Sequence, residues 1–302
     1  MSILITGATG VLGSQIADFL RQWIDPKSII PTSRSESNCS QVEAKGVQFR
    51  VLDYQRSETL APAFKGVEKA LLIPSRDYDT EKRGRELIEA IKAAVEAGVK
   101  HIYLVSAAFG GYGRSDQYIM KGNLMAEDFL KTYFPFFFRL IYCRQNVTWT
   151  ILRHGGYSYE FLKYIGFGPD MQAVYLPGEG PTGFTTESNL AEGTARMLID
   201  NSSKYDNKTV LLTNTKLATF SDAVKLGSQI LKRDIPVHKV SLEQYAGVLT
   251  SYGVPDWAAP GMAEMFVGME QGELETTSSV LEELLGRKPT TLDEVVRDIL
   301  KA

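Results

Sequence analysis

Cysteine is nearly absent from this chain of 302 residues. Cys39 and Cys143 lie far apart, and neither belongs to a C-x-x-C or Cys/His ligand spacing. That excludes a disulfide scaffold and a structural zinc site, so no metal is expected. A charge excess is also missing: Lys and Arg number 33 against 36 Asp and Glu, a net charge of -3. No basic run follows that could track a phosphate backbone, which argues against nucleic acid as a direct ligand. No uncharged apolar stretch approaches the roughly 20 residues of a membrane helix. The N-terminus lacks the basic-then-apolar pattern of a secretory signal, so a soluble cytoplasmic protein without a membrane partner is expected. Hydrophobic residues at 44% and charged residues at 23% exclude a disordered or fibrous chain.

What is present is a rhythm. Short apolar runs at residues 2–6 (SILIT), 28–33 (SIIPTS), 47–52 (VQFRVL), 69–73 (KALLI), 102–106 (IYLVS) and 148–152 (TWTIL) read as strands. Helical patterns separate them, at residues 11–23 with Val11, Ile16, Phe19, Leu20 and Trp23 on one face, and at 80–97, stopped by Gly98. Strands that are apolar without alternation, interleaved with helices, imply an α/β doubly wound parallel sheet. Later segments turn helical, at 187–199, 220–232, 242–252, 260–271 and 292–300, with short strand candidates at 173–176 and 209–212. The expected division is a sheet domain over 1–155, completed by later segments, and a smaller, mainly helical lobe over 156–302 interleaved with it. The aromatic-rich run at 132–146 is too long for an ordinary connection and suits a lid, a subunit contact or burial on the fold.

Gly7-Ala8-Thr9-Gly10-Val11-Leu12-Gly13 joins the first strand to the first helix. In a dinucleotide-binding turn the first glycine makes the tight bend, the second admits a pyrophosphate and the third lets helix and strand pack closely. Amide hydrogens at the helix start then face the anion. The second strand ends in Thr32-Ser33-Arg34-Ser35, where enzymes preferring NAD usually carry a carboxylate. Arg34, beside Ser33, offers a planar fork for a 2′-phosphate, so NADPH is the expected cofactor, with NADH possible. Asp53, past the third strand, either bonds the adenine amino group or caps the next turn. Ile73, Pro74 and Ser75 end the fourth strand and Ser106 and Ala107 the fifth, where the ligand of an open α/β sheet lies.

These features, with the runs VEKALLIP, ILRHGGYSYEFL, LEQYAGVLTSYGVP and LLGRKPTTLDEVV in order along the chain, resemble the NmrA-like group of atypical short-chain dehydrogenases/reductases. Within that group the likeness is to the bacterial type-two NADPH:quinone oxidoreductases. The resemblance implies an NADPH-binding Rossmann domain, a small C-terminal domain and a substrate cleft between them. It implies an oxidoreductase acting on a small molecule, with hydride passing to a quinone or related conjugated carbonyl. The same group also contains imine and enone reductases of secondary metabolism and NADP(H)-sensing regulators without turnover, for which a protein partner would matter. A homo-oligomer is compatible with either.

Ordinary members of the wider superfamily use Ser, Tyr and Lys, with Tyr-x-x-x-Lys on one helix. Here Ser106 is followed by Tyr118 and Lys121, a spacing of three. Matched to the NmrA-like helix, Asn123 takes the position often held by Lys or His, and Lys121 falls two places early. Tyr118 is thus one candidate acid; His154 and Tyr157 are the others, the latter also placed to stack on a quinone near the nicotinamide. A lone His at a strand end is more often a structural hydrogen-bonding residue, and His154 reads that way first. Phe109 and Gly110, in a loop that is either a flexible cover for substrate or a simple connecting turn, and Phe161 and Tyr157 are the candidate substrate contacts, with Phe161 and Phe184 also readable as core.

Overall fold

The computed structural model describes residues 1–38, 46–133 and 147–301. In chain order the strands are β1 (Ile3–Ile5), β2 (Ile29–Ser33), β3 (Arg50–Val51), β4 (Lys69–Leu72), β5 (His101–Ala107), β6 (Thr148–His154), β7 (Val174–Leu176), β8 (Lys208–Leu212) and β9 (Val237–Lys239). The first six helices are α1 (Val11–Trp23), α2 (Leu60–Phe64), α3 (Thr80–Glu96), α4 (Met120–Asp128), α5 (Ser158–Tyr164) and α6 (Glu187–Ile199). They are followed by α7 (Phe220–Leu231), α8 (Leu242–Ser251), α9 (Ala259–Glu270), α10 (Val280–Leu285) and α11 (Leu292–Leu300). Of the aromatic run at 132–146, residues 134–146 lie outside the described residues.

The chain forms two compact units, neither continuous in sequence. The first comprises Met1–Ser106, Lys121–Arg153 and Leu190–Val210; the second comprises Ala107–Met120, His154–Asn189 and Leu211–Ala302.

Among the described residues the main sheet has seven strands in the order β3-β2-β1-β4-β5-β6-β8. β3, β2, β1, β4 and β5 pair in parallel, with Ile3 opposite Ile29 and Lys69, and Lys69 opposite His101. β1, β2 and β4 are buried at every position, as apolar strands covered on both faces must be. The sequence expects a six-residue third strand, but only Arg50 and Val51 pair with β2. An edge strand has one neighbour to define it, whereas β5, flanked by β4 and β6, extends from His101 to Ala107. Leu4, Ile30, Ala70 and Ile102, from adjacent strands, join Phe64 of α2 and Leu87, Ile91 and Val95 of α3 in one buried cluster.

Two polar residues begin strands in this core. The buried Lys69 ammonium donates to Leu198 O (2.8 Å), Asp200 O (3.2 Å) and Asn201 Oδ1 (3.1 Å), supplying a cation at the C-terminal end of α6. His101 lies between Thr148 and Thr150, whose hydroxyls are 2.7 and 2.9 Å from its ring nitrogens. Burial lowers its pKa to about 4 against the opposing pull of Asp206.

In the second unit β7 and β9 form a parallel pair, and α8 packs on α9. Phe161, Phe184, Phe220 and Phe266 make a continuous aromatic core, with centroid separations of 5.3 to 6.2 Å, extended by Tyr245 against Phe266 at 4.8 Å. Capping boxes Thr219/Asp222, Ser241/Gln244 and Thr291/Glu294 start α7, α8 and α11. No helix among the described residues is long and apolar enough to cross a membrane.

Candidate functional site

The order of the sheet reverses between β1 and β4, and the crevice outside the carboxyl ends of these strands is the ligand position of a doubly wound fold. The glycine turn leaves β1 at this point. Gly7 adopts φ +61°, a left-handed conformation that side chains disfavour, and accepts a hydrogen bond from the Gly10 N–H at 2.9 Å. A Cβ on Gly13 would stand 2.5 Å from Gly7 O and 2.9 Å from Gly7 C, so only glycine lets α1 approach the turn this closely. α1 begins with no side-chain cap on Gly10 and no acid in its first turn. Its leading amide hydrogens therefore keep their capacity for an anion and meet no carboxylate that would repel one. This cradle fits a pyrophosphate. Thr9 lies exposed in the turn, as does Val11 at the helix start, while Leu12 faces the core.

The neighbouring strand ends are locked together. The Tyr54 hydroxyl lies 2.8 Å from Thr6 Oγ1 and 3.0 Å from Ile73 O, and the Ile73 N–H donates to Thr6 Oγ1 at 2.7 Å. Burial pushes the Tyr54 pKa far up, so it remains a neutral strut. Sequence reasoning passed over Tyr54, although a tyrosine directly after Asp53 at a strand end was a usable signal. Pro74 follows Ile73, and Ser75 donates to Glu86 Oε2 at 3.1 Å. Asp53 Oδ1 accepts the Gln55 N–H at 3.1 Å, the turn-capping arrangement. Ser33 is buried at the end of β2, and Arg34 projects to the surface beyond it.

At the end of β5, Ser106 is committed elsewhere. Its hydroxyl donates to Glu127 Oε1 at 2.7 Å, where Arg153, buried like Glu127, donates to both carboxylate oxygens at 3.0 and 2.7 Å and the half-buried Lys131 approaches at 2.9 Å. Burial alone would raise the Glu127 carboxyl, but Arg153, then Ser106 and Lys131, hold it below the ordinary range. Neither Glu127 nor Arg153 was singled out from the sequence, yet an arginine inside the apolar run TWTILRH signals a buried partner. Asn123 is buried in α4, one turn before Glu127, and Ala107 is half-buried at the end of β5.

Within the second unit, His154 ends β6 and is buried; its Nδ1 lies 3.3 Å from the Tyr157 hydroxyl. Burial lowers the His154 pKa to about 3, so the ring is neutral at physiological pH. Tyr157 precedes α5 and pairs with Thr185 in an isolated parallel bridge. Tyr118 lies in a turn before α4, and its ring covers Gly261 so closely that a Cβ there would meet Cγ at 2.6 Å. Lys121 is exposed in the first turn of α4, so the two residues do not share a helix face.

The loop after β5, read from the sequence as a cover or a connecting turn, is held by hydrogen bonds to Glu273. The Gly110 N–H donates to Glu273 O at 2.9 Å, the Ser115 hydroxyl bonds Glu273 Oε2, and Gln117 reaches Glu273 Oε1 at 3.3 Å. Phe109 within it is buried. Phe161 and Phe184 are buried in the aromatic core.

A family model described as NAD(P)H-binding matches residues 7–163, the segment that carries the glycine turn and strands β2 to β6. The chain belongs to this NAD(P)H-binding, NmrA-like family of oxidoreductases. It is 31% identical over 306 residues to the NmrA-like family domain-containing oxidoreductase flvB of Aspergillus flavus, covering 99% of this chain and 95% of that protein. It is 28% identical to quinone oxidoreductase 2 of Escherichia coli, covering 97% of each chain. Among solved structures, Citrobacter sp. triphenylmethane reductase complexed with NADP(H) superposes with a TM-score of 0.84 at 28% identity, covering 99% of this chain and 100% of that one.

Proposed function

We propose that this protein is an NADPH-dependent oxidoreductase that delivers a hydride to a quinone or a related conjugated carbonyl. The observation that carries the reading is the pairing of an acid-free glycine cradle at the start of α1 with Arg34, not a carboxylate, at the end of β2. The first-turn amides of α1 would hold the pyrophosphate, and Arg34 would read the 2′-phosphate. When bound, NADPH supplies the hydride from its reduced nicotinamide ring.

The chain's own residues then orient and exclude more than they transfer protons. Ser106 gives its hydroxyl to Glu127 and His154 is held neutral, so neither stands ready as a charged or free acid at neutral pH. A quinone suits such a site because aromatisation drives its reduction and its oxygens can take protons from water. Proximity and alignment are then the protein's main contribution. Tyr157 and His154 are the groups proposed to contact substrate, and the quinone oxidoreductase relative supports this substrate class.

Mixing the full-length protein with NADPH and a panel of small quinones, and following loss of the reduced-cofactor absorbance, tests the reading. Turnover faster than with NADH supports it. Tight NADPH binding without oxidation across the panel would move the assignment to a cofactor sensor, a role that the same lack of a ready acid also suits.

A further inference from the structure

Beside Arg34, an open pocket of about 650 Å³ in the first unit is lined by three guanidinium groups, Arg34, Arg50 and Arg56, and two carboxylates, Glu36 and Glu58. The sequence gives no direct sign of this grouping. Pairing of β3 with β2 sets Arg50 beside Thr32, and the bend after β3 brings Arg56 back. That bend is rigidly held: the Arg56 N–H donates to Asp53 O at 3.0 Å, and the Thr59 hydroxyl lies 2.7 Å from Arg56 O and 3.0 Å from the Asp53 nitrogen.

The three arginines are not equivalent. Arg50 spends Nη1 on the carbonyls of Ala63 and Lys65, at 2.6 and 2.7 Å, and so fixes the end of α2. Arg34 makes no ion pair among the described residues. Arg56 donates from Nε to Glu58 Oε1 at 3.0 Å, with side chains 55% and 68% exposed. A pair so open to water contributes little, and a phosphate dianion in the same pocket is a stronger partner for a guanidinium than one carboxylate.

We propose that Arg56 is a second guanidinium for the 2′-phosphate of NADPH, alongside Arg34, and that Glu58 is the internal anion it must leave to bind it. Glu58 then limits how strongly the protein prefers NADPH to NADH: it screens Arg56 from the phosphate and contributes nothing when the 2′-position carries a hydroxyl. This inference rests on the NADPH reading above and deepens it.

Calorimetric titration of the full-length protein with NADPH, NADH, 2′,5′-ADP and 5′-AMP separates the two. Arg56→Ala is expected to weaken NADPH and 2′,5′-ADP by roughly tenfold to a hundredfold, as loss of a charged hydrogen bond does, and to leave NADH and 5′-AMP unchanged. Glu58→Gln is expected to tighten the two phosphorylated ligands by up to about fivefold, the ceiling for an exposed pair. That gain should vanish when Arg56 is already alanine. Equal weakening of NADPH and NADH by Arg56→Ala, no weakening of either, or a Glu58→Gln gain that survives without Arg56 would overturn the proposal. Wild-type protein that binds 5′-AMP as tightly as 2′,5′-ADP defeats the NADPH reading and this inference together. A wild-type preference for 2′,5′-ADP that Arg56→Ala leaves intact defeats this inference alone.

Discussion

Ser106 and Glu127 meet through a 2.7 Å hydrogen bond inside the first unit, and the Arg153 guanidinium holds both oxygens of the same carboxylate. The residue that the wider superfamily would offer as catalytic is thus bonded into a buried charge network. Ser106→Ala should cost about 1 kcal/mol of stability, as the loss of one buried hydrogen bond does. It should change quinone turnover by less than about tenfold, well short of the roughly hundredfold or greater loss that follows removal of a general acid. Urea denaturation and steady-state rates on the same preparation measure both. Glu127→Gln, which leaves Arg153 buried without its counter-charge, should be far more damaging, by about 3 to 5 kcal/mol.

The two buried histidines make stability fall in mild acid. His154 and His101 have folded pKa values lowered to about 3 and about 4, against an ordinary value of 6.5. Below 6.5 the unfolded chain binds protons that the folded one refuses, so stability is full above that pH and declines as pH falls toward the folded values. The slope is about 1.4 kcal/mol per pH unit for each histidine, and this contribution stops changing below about pH 3. Urea midpoints between pH 7 and 4.5 should show the decline, and His154→Gln should reduce its slope by about half, leaving the part due to His101; an unaltered slope in that variant would assign the effect to other groups.

Gly13→Ala places a methyl group where the backbone of Gly7 already stands, 2.5 Å away. Because backbone cannot yield as a side-chain tip can, either α1 moves away or the turn opens, and both disperse the amide cradle. Loss of NADPH binding by at least about tenfold, with a lower melting temperature, is the expected outcome. Binding at wild-type affinity in a folded Gly13→Ala protein would remove α1 from the cofactor site.

Arg34→Asp replaces the fork at the end of β2 with the carboxylate usual in NAD-preferring folds. NADPH affinity should fall much further than NADH affinity, and measurement of the two dissociation constants decides it. Unchanged values for both would mean that Arg34 does not read the phosphate.

Tyr118→Phe should leave most quinone turnover in place, since the ring lies across Gly261 in a turn ahead of α4 and Lys121 is exposed on the helix beyond. A loss of roughly a hundredfold or more would restore Tyr118 as the acid.

Local chemistry made much of this legible. The glycine turn, the apolar strands and the exact ends of α1, α6 and α11 follow from short-range rules: a tight bend needs glycine, a two-sided sheet needs continuous apolar runs, and an amphipathic stripe marks a helix. Arg34 was visible for the same reason, because its place at a strand end is a matter of sequence order.

What remained hidden depends on residues far apart in the chain. Glu127 finds Arg153 across 26 positions and Ser106 across 21, Ser115 reaches Glu273 across 158, and Lys69 reaches Leu198 across 129. A charged side chain's role is fixed by its partner and by how much water is removed around it, and neither quantity exists until the chain has closed. The sequence alone therefore determined the layered architecture and the glycine turn between β1 and α1, while tertiary structure decided which polar groups are spent on holding the fold.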